Sequence, residues 1–322
     1  MKAAVLHEFG QAPRYEDFPD PPIGAEEELV QVKAVALENV DRAMARGTHF
    51  ASRQFLAQLP AIIGFDGIGM LADGGLVGFG GMKPPYGAMA EKAVIPKGAF
   101  VRIPEGVEAL TAAALPASAL TALFPLKWGA KLEPGETVLV NGATGVSGKL
   151  AVQIAKLLGA GRVVGTGRNE QALQSLYALG ADSVIDLKQS DEQIVDAFGT
   201  AAGGGYDIVL DFLWGHPTEL LIQALVPHEL AFPAKRTRLI QIGEMAGAAL
   251  TLPADALRTS GLEISGAGSS ITPQTIAEGS ALVWDMIQAN KLKIEIEPVP
   301  LRDIERAWAR TDLHGKRLVI VP

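Results

Sequence analysis

The distribution of apolar and polar residues divides the chain into two kinds of segment. Up to about residue 117, short apolar runs such as 2–6 and 29–35 are separated by turns rich in Pro and Gly, which is typical of β-structure. From about residue 118 to 264, apolar runs alternate with segments of helical periodicity. The pattern therefore predicts an α/β protein, with a β-rich unit joined to a doubly wound parallel sheet.

The second segment is expected to contain six parallel strands, at 138–140, 163–165, 183–185, 208–210, 239–242 and 262–264. After residue 264 the pattern predicts a helix, a strand near 294–296, another helix and a final strand at 317–321. This tail carries no further nucleotide-binding signature. We expect it to return to the first unit, so that residues 1–117 and 265–322 form one domain and residues 118–264 the other.

The most informative motif connects the first of the six strands to a helix. Gly142, Gly145 and Gly148 follow the strand, and apolar residues then recur at helical spacing. Glycines are needed in such a turn because the backbone must approach a pyrophosphate closely, and the unpaired N–H groups of the helix start bind the anion. The motif predicts a dinucleotide site.

Two other nucleotide-binding families fit this motif poorly. A P-loop has Ser or Thr after its Gly-Lys pair, whereas Leu150 follows Lys149, and Ala143 occupies the position of the first glycine. The stretch NGATGVSG also resembles the short-chain dehydrogenases, but none of the 4 tyrosines has a Lys four residues later, so the Tyr-x-x-x-Lys pair is absent. Over a hundred residues of different character also precede the motif.

Charge after the second strand indicates which dinucleotide is bound. An NAD site usually has an acidic residue there for the ribose 2′-hydroxyl, but no Asp or Glu occurs between Lys149 and Asn169. Arg168 lies in this region, where a 2′-phosphate would need a permanently charged donor. We therefore predict NADPH as the cofactor. In the alternative interpretation Arg168 is a solvated turn residue and Glu170 contacts the ribose.

Composition narrows the class of protein. The chain has 322 residues, a net charge of −8, 48% hydrophobic residues and no cysteine. The net negative charge argues against nucleic acid or an anionic membrane as the main partner. The lack of Cys excludes disulfides and thiolate-bound zinc. The apolar run at the N-terminus is too short for a signal peptide, and the uncharged stretch 109–126 contains Pro116 and Pro125, which favours a buried helical connection over a membrane span. We expect a cytoplasmic protein.

A family resemblance covers nearly the whole chain. It rests on the motifs Asn39-x-Asp41, Gly64-x-Asp66-x-x-Gly69, Pro134-Gly135-Glu136, the glycine turn and Gly315-Lys316-Arg317-Leu318-Val319, in that order. This order resembles the medium-chain dehydrogenase/reductase superfamily, and its zinc-independent quinone oxidoreductase branch in particular. The resemblance implies a GroES-like catalytic domain, a Rossmann NADP-binding domain and a homodimer. It also implies that a small-molecule quinone or enone is reduced by NADPH.

Metal ligands are missing from the expected positions. Zinc-dependent relatives have Cys near Asn39 and His at the position of Phe65. The 5 histidines show no metal-ligand spacing; they are His7, His49, His216, His228 and His314. We therefore expect a reaction without a metal.

The resemblance also suggests four residues near the reacting groups. Asn39 and Asp41 follow a strand where the family lines its substrate cleft; the alternative is that Asn39 caps a helix and Asp41 is an anion in its first turn. Thr121 matches the family's threonine next to the nicotinamide, unless its hydroxyl bonds back within a helix. His49 stands where many relatives have Tyr and could donate a proton, although a loop histidine is more often solvated.

The full cofactor site predicted from the sequence consists of the glycine turn and of residues after later strands: Gly142, Ala143, Thr144, Gly145, Val146, Gly148, Gly167, Arg168, Ile242, Gly243 and Lys316. Two alternative functions remain open. One is a 2-alkenal or enoyl-thioester reductase that uses the same hydride chemistry. The other is a nucleotide-binding protein without turnover, because the sequence contains no strong acid/base dyad.

Overall fold

A computed structural model describes residues 1–226 and 235–322 of the chain. Its internal contacts divide the chain into two compact units, Met1–Pro116 with Glu295–Pro322, and Ala117–Ile294. Segment 265–294 therefore lies in the second unit and not, as the sequence pattern suggested, in the β-rich one. The reason is a close helix contact within the second unit, where a Cβ on Gly279 would lie 2.8 Å from the ring of Phe124.

The strands are numbered in chain order. They are β1 (Lys2–Leu6), β2 (Arg14–Asp17), β3 (Glu27–Leu37), β4 (Ala61–Ile62), β5 (Asp66–Met70), β6 (Leu76–Gly80), β7 (Lys92–Pro96), β8 (Phe100–Arg102), β9 (Thr137–Asn141), β10 (Arg162–Gly167), β11 (Ser183–Asp186), β12 (Ile208–Asp211), β13 (Thr237–Gln241), β14 (Leu262–Gly266), β15 (Glu295–Pro300) and β16 (Lys316–Val321).

The helices are numbered in the same way. They are α1 (Asn39–Arg46), α2 (Ser52–Phe55), α3 (Ala109–Ala114), α4 (Pro116–Phe124), α5 (Val146–Leu157), α6 (Glu170–Ala178), α7 (Asp191–Ala202), α8 (Gly215–Leu225), α9 (Ala254–Thr259), α10 (Pro273–Gln288) and α11 (Ile304–Ala309). A π-helical turn follows α4 at Pro125–Gly129, and 3₁₀ turns occur at Ala267–Ser270 and Leu301–Asp303.

The first unit is built on two sheets. A 3-stranded sheet has the order β2-β1-β4, and a 7-stranded sheet has the order β15-β16-β3-β5-β6-β8, with β7 also paired to β3. In β3, buried positions alternate with exposed ones before the strand becomes wholly buried at its end, 34–37. The buried side chains form one apolar core under the long sheet, which includes Val30, Val77, Ile95 and Leu318. The β-rich first unit predicted from the sequence is confirmed.

The second unit is a doubly wound sheet. Its six strands are all parallel and have the order β11-β10-β9-β12-β13-β14. Residues Val138, Leu139 and Val140 of β9 are fully buried, as expected for a parallel strand covered on both faces. The strand order reverses between β9 and β12. In open α/β sheets, ligands bind beyond the carboxyl ends of the strands at such a switch point.

The apolar stretch Ala109–Gly129 is long and apolar enough to cross a membrane by length and composition, and 56% of its most apolar window is buried. It is broken into α3, α4 and the π-helical turn, and α4 begins at Pro116. A buried helix in a protein core can be equally long and apolar. The segments match the helical connection expected from the prolines in the sequence.

A buried cluster of charged side chains joins β16 to the start of α1 in the first unit. Arg317 is 6% exposed, and its guanidinium lies 2.9 Å from Glu38 Oε1 and donates to the carbonyl of Leu37 at 3.1 Å. Glu38 is the N-cap of α1 and forms a capping box with Asp41, whose carboxylate accepts the Glu38 N–H at 2.8 Å. The cluster fixes where the helix leaves the sheet.

The carboxyl groups of Asp41 and Asp66 also interact electrostatically with the Arg317 guanidinium. Burial raises the pKa of Asp41 well above its usual range, and repulsion by Glu38 and Asp66 adds to the effect. Burial also raises the pKa of Asp66 to about 7, with a further contribution from Glu38 and an opposing one from Arg317. The folded unit therefore favours the protonated form of both Asp side chains.

The raised pKa of Asp66 predicts a pH-dependent stability. The unfolded chain releases this proton near about pH 4, whereas the folded chain keeps it up to about pH 7. The stabilisation is thus complete below about pH 4 and is lost as the pH rises to about 7, with a slope of at most about 1.4 kcal/mol per pH unit. We expect Asp66→Asn to remove much of this slope in urea unfolding between about pH 5 and pH 7, while Asp41 still contributes in the same direction.

Asp17→Asn is the control for this experiment, because Asp17 is exposed and pairs with Lys2 on the surface. This variant should keep the wild-type slope. An Asp66→Asn variant with the full wild-type slope would contradict this role of the Asp66 carboxyl.

Candidate functional site

The glycine turn follows β9 at the switch point of the sheet. Gly142 has φ 92°, a left-handed conformation in which a side chain is strained, and the side chain of Leu213 lies only 3.0 Å from where its Cβ would be. Helix α5 then starts with Gly145 as N-cap, and Val146 is its first residue. The predicted strand, turn and helix therefore occur in the expected order.

The second and third glycines of the turn differ in whether the fold itself requires glycine. A Cβ on Gly148 would lie 2.3 Å from the carbonyl oxygen of Gly142, so only glycine lets α5 approach the strand this closely. A Cβ on Gly145 would meet no protein atom nearer than 4.0 Å. The fold itself therefore does not require glycine at 145, and the space in front of the helix start is open to a ligand.

The turn is also held against the second strand. Ala143 is fully buried, and its N–H donates to the carbonyl of Thr166 at 2.8 Å. A Cβ on Gly167 would lie 2.3 Å from the side chain of Thr144, so glycine at the end of β10 allows the two segments to touch. The first turn of α5, whose N–H groups lack partners within the helix, is fixed by these contacts.

Arg168 follows directly after β10 and is exposed. It makes no hydrogen bond or ion pair with the residues that the structure describes. Asn169, the next residue, caps α6 by accepting the N–H of Ala172 at 2.8 Å, and Glu170 is exposed in the first turn of that helix. The guanidinium of Arg168 is thus available to an anion beside the end of the second strand.

A buried polar network below the turn was not predicted from the sequence. It consists of Asn141, Thr166, Asp211 and Thr218, all with 0% exposure. Asn141 donates to Asp211 at 3.1 Å, Thr166 donates to Asn141 at 2.8 Å and Thr218 donates to Asp211 at 2.7 Å. A sequence signal existed, since both Asn141 and Asp211 end apolar runs that are otherwise typical of buried strands.

The remaining predicted cofactor residues lie in different places. Ile242 and Gly243 follow β13, and their N–H groups donate to the carbonyl of Asp211 at 2.8 and 3.1 Å. Lys316 belongs to the first unit, at the start of β16, where its ammonium lies 2.7 Å from Glu295. Its contact with a cofactor stays a prediction.

A small cavity that is partly open to solvent lies in the first unit. Its walls are mainly apolar and aromatic, and include Met44, Phe55, Phe65 and Tyr86, and Asp41 contributes a carboxyl group. Asp41 is 5% exposed and has the raised pKa described above. The cavity therefore combines mainly apolar walls with one carboxyl group whose pKa is raised by burial.

The residue that caps α1 differs from the alternative considered for the sequence, in which Asn39 is the cap. Asn39 is not the cap; Glu38 caps the helix and Asn39, which is exposed, is its first residue. The reason is that the Glu38 side chain accepts the N–H of Asp41 while it also pairs with Arg317. Asp41 does lie in the first turn, as that alternative proposed.

His49 and Thr121 both make local contacts. His49 accepts the N–H of Ala51 on Nδ1 at 3.2 Å and stacks on Phe50 with ring centres 4.4 Å apart. Thr121 donates its hydroxyl to the carbonyl of Ala117, one turn earlier in α4, at 2.8 Å. These geometries agree with the structural alternatives, and catalytic roles for both residues stay predictions.

Within the described residues, no group of three His, Asp or Glu side chains is placed to hold a metal ion. His228 lies outside the described residues. Phe65, which stands at the family's ligand position, forms part of the cavity wall in the first unit.

Comparisons with known proteins agree with this arrangement. A model of the family described as zinc-binding dehydrogenase matches residues 147–233. The chain is 27% identical over 268 residues to quinone oxidoreductase-like protein 2 of Bos taurus, covering 80% of this chain and 72% of the relative. It is 26% identical to a probable NADPH-dependent quinone reductase of Emericella nidulans, with 100% of both chains covered.

Solved structures extend the likeness to the whole fold. The quinone oxidoreductase of Thermus thermophilus, whose structure is also known in complex with NADPH, has a TM-score of 0.79 and 28% identity with 100% of both chains covered. The strand order, glycine turn and β-rich unit of this chain are thus accompanied by similarity in fold and sequence over the full length of both chains. The chain is therefore similar, along its full length, to the quinone oxidoreductase-like branch of the medium-chain dehydrogenase/reductase superfamily that its sequence resembles.

Proposed function

We propose that this chain is an oxidoreductase that reduces quinones or enones with NADPH and without zinc. The observation that carries the proposal is the combination at the end of β9 and β10: open space before the first turn of α5, next to an arginine with no partner among the described residues. This combination fits a pyrophosphate and a 2′-phosphate on one ligand. The two relatives named as quinone oxidoreductases and the NADPH-dependent relative support it.

The residues of the second unit have distinct tasks in this proposal. The N–H groups at the start of α5 hold the pyrophosphate, and the Arg168 guanidinium binds the 2′-phosphate. Ile242 and Gly243 line the cofactor beyond β13. NADPH, when bound, supplies the hydride.

The first unit supplies the substrate environment. The apolar cavity binds the ring or alkene and excludes water, which strengthens electrostatic interactions within it. The carboxyl of Asp41 holds a proton for the carbonyl oxygen, on which negative charge develops as the substrate is reduced. Asn39, His49 and Thr121 are further candidates for contacts with substrate or cofactor. Phe65 has no donor atom, which favours a mechanism without zinc.

The proposal also covers the partners, location and oligomeric state of the protein. The substrate is a small molecule, and nucleic acid and membranes are not partners, in keeping with the net charge of −8. By resemblance to its family, the protein acts in the cytoplasm as a homodimer.

Arg168→Ala tests the choice of cofactor. Loss of a charged contact to a phosphate is worth about 1.5 to 3 kcal/mol, so NADPH should bind about 10- to 100-fold more weakly. NADH affinity should change less than about twofold, because NADH carries no 2′-phosphate. Fluorescence titration with both cofactors measures the effect.

Arg258→Ala is the matched control, since Arg258 is also exposed and lies in the last turn of α9 of the same unit. It should leave both affinities unchanged. Equal losses for NADPH and NADH in Arg168→Ala would refute the assignment of the 2′-phosphate site.

Gly145→Val tests the pyrophosphate site. The added side chain meets open space in the protein alone but occupies the position of the ligand, so NADPH should bind at least about 100-fold more weakly while the melting temperature changes little. Gly199→Val, in α7 with no atom within 4 Å of its Cβ, is the control for adding Val at an open glycine. Unchanged NADPH affinity in Gly145→Val by calorimetry would show that the ligand binds elsewhere.

A substrate panel tests the reaction itself. We expect steady oxidation of NADPH with 1,4-benzoquinone, unaffected by strong chelators, and no stoichiometric zinc in the purified protein. A preference for 2-alkenals or enoyl thioesters would instead support the alternative reductase. Tight NADPH binding without turnover on any substrate would make the chain a binding protein. Zinc at about one atom per chain, with activity lost on chelation and restored by zinc, would overturn the metal-free mechanism.

A further inference from the structure

Asp211 ends β12 at the switch point and has 0% exposure. Its carboxylate accepts from several donors: the N–H groups of Leu213 and Trp214 at 3.0 and 3.1 Å, the Asn141 amide at 3.1 Å and the Thr218 hydroxyl at 2.7 Å. These donors come from three separate segments, the end of β9, the turn after β12 and helix α8. A single buried carboxylate therefore holds three segments together.

The connection continues to the glycine turn. Asn141 donates to Asp211 and accepts from the hydroxyl of Thr166, and the Thr166 oxygen in turn accepts the N–H of Gly142 at 2.9 Å. The orientation of the turn that faces the pyrophosphate is thus tied through two side chains to Asp211. The side chains of Asn141, Thr166 and Asp211 therefore all have hydrogen-bond partners within the protein.

The backbone of Asp211 fixes a further segment. Its carbonyl accepts the N–H groups of both Ile242 and Gly243, and Ala246 from the same segment donates to the carbonyl of Leu213 at 2.8 Å. The segment after β13 is therefore attached to the turn after β12. Asp211 contacts the loops on both sides of the switch point, where a dinucleotide would lie across the sheet edge.

The turn after β12 has an unusual backbone that requires such support. Trp214 has φ 55° and ψ −169°, a conformation adopted almost only by glycine, and Gly215 next to it also has a positive φ of 60°. The Trp214 N–H is one of the donors to Asp211. A strained residue persists only where its surroundings hold it in place, and the carboxylate provides that contact.

We propose that Asp211 is the positioning residue of the dinucleotide site, which sets the glycine turn and the loops after β12 and β13 in the arrangement that binds the pyrophosphate and the nicotinamide half. Asp211 acts through these loops and does not touch the cofactor. The inference rests on the proposed function, because it needs a bound dinucleotide. It predicts that the dinucleotide contacts depend on Asp211 while the 2′-phosphate contact of Arg168 does not.

Two ligands separate these contacts: NADPH, and adenosine 2′-phosphate, which has neither pyrophosphate nor nicotinamide. In Asp211→Ala, NADPH should bind at least about tenfold more weakly, whereas the affinity for adenosine 2′-phosphate should stay within about twofold. Asp211→Asn should recover part of the NADPH affinity, because its side-chain oxygen still accepts from Leu213 and Trp214. Competition titrations measure both ligands.

Thr218→Val provides a second test if Asp211→Ala fails to fold. It removes one buried hydroxyl that donates to Asp211, and Thr237→Val is its matched control. Thr237 is 3% exposed and donates to the carbonyl of Tyr206 at 2.7 Å, at the amino end of β13. Both variants should lower the melting temperature similarly, but only Thr218→Val should weaken NADPH binding, with rescue by Thr218→Ser.

Equal losses for NADPH and adenosine 2′-phosphate, or equal effects of Thr218→Val and Thr237→Val on NADPH, would overturn the positioning role and assign Asp211 to stability alone. If the wild-type protein binds no NADPH, the proposed function fails and this inference with it. The two failures are therefore distinguishable.

Discussion

The close approach of α5 to the end of β9 is the contact on which the rest of the second unit depends. The backbone of Gly148 packs directly against the carbonyl of Gly142, with no room for a Cβ. This contact directs the helix start toward the carboxyl edge of the sheet, at the position where the strand order reverses. Because a Cβ on Gly145 meets only open space, the same geometry that packs the helix also leaves its N–H groups available to an anion.

The carboxyl groups of the two units differ in how they are stabilised. In the second unit, the Asp211 carboxylate accepts hydrogen bonds from the end of β9, the turn after β12 and helix α8, and such a group rigidifies the loops that it contacts. In the first unit, Asp41 and Asp66 share one guanidinium with Glu38, and burial raises the pKa of both. The first arrangement suits a fixed binding surface, and the second suits a group that holds and releases a proton.

Much of the fold follows from local sequence signals. All six strands of the parallel sheet and the helix after the glycine turn could be predicted, because continuous apolar runs and helical periodicity are local properties. The sequence pattern placed the domain boundary at residue 265, whereas α10 packs in the second unit. Its position depends on the contact of Gly279 with Phe124, and these two residues are far apart in sequence. Glu38 replaced Asn39 as helix cap for a similar reason, since Arg317 pairs with it from the last strand. The Asp211 network likewise depends on neighbours that only the folded sheet brings together.

Hydrogen exchange with and without NADPH tests the central claim most directly, namely that a dinucleotide binds across the switch point of the second unit. We expect NADPH to slow exchange in peptides that cover 142–149, 212–215 and 242–246, while β1 and β2 of the first unit exchange unchanged. Protection confined to other segments, or none in the presence of saturating NADPH, would contradict the account.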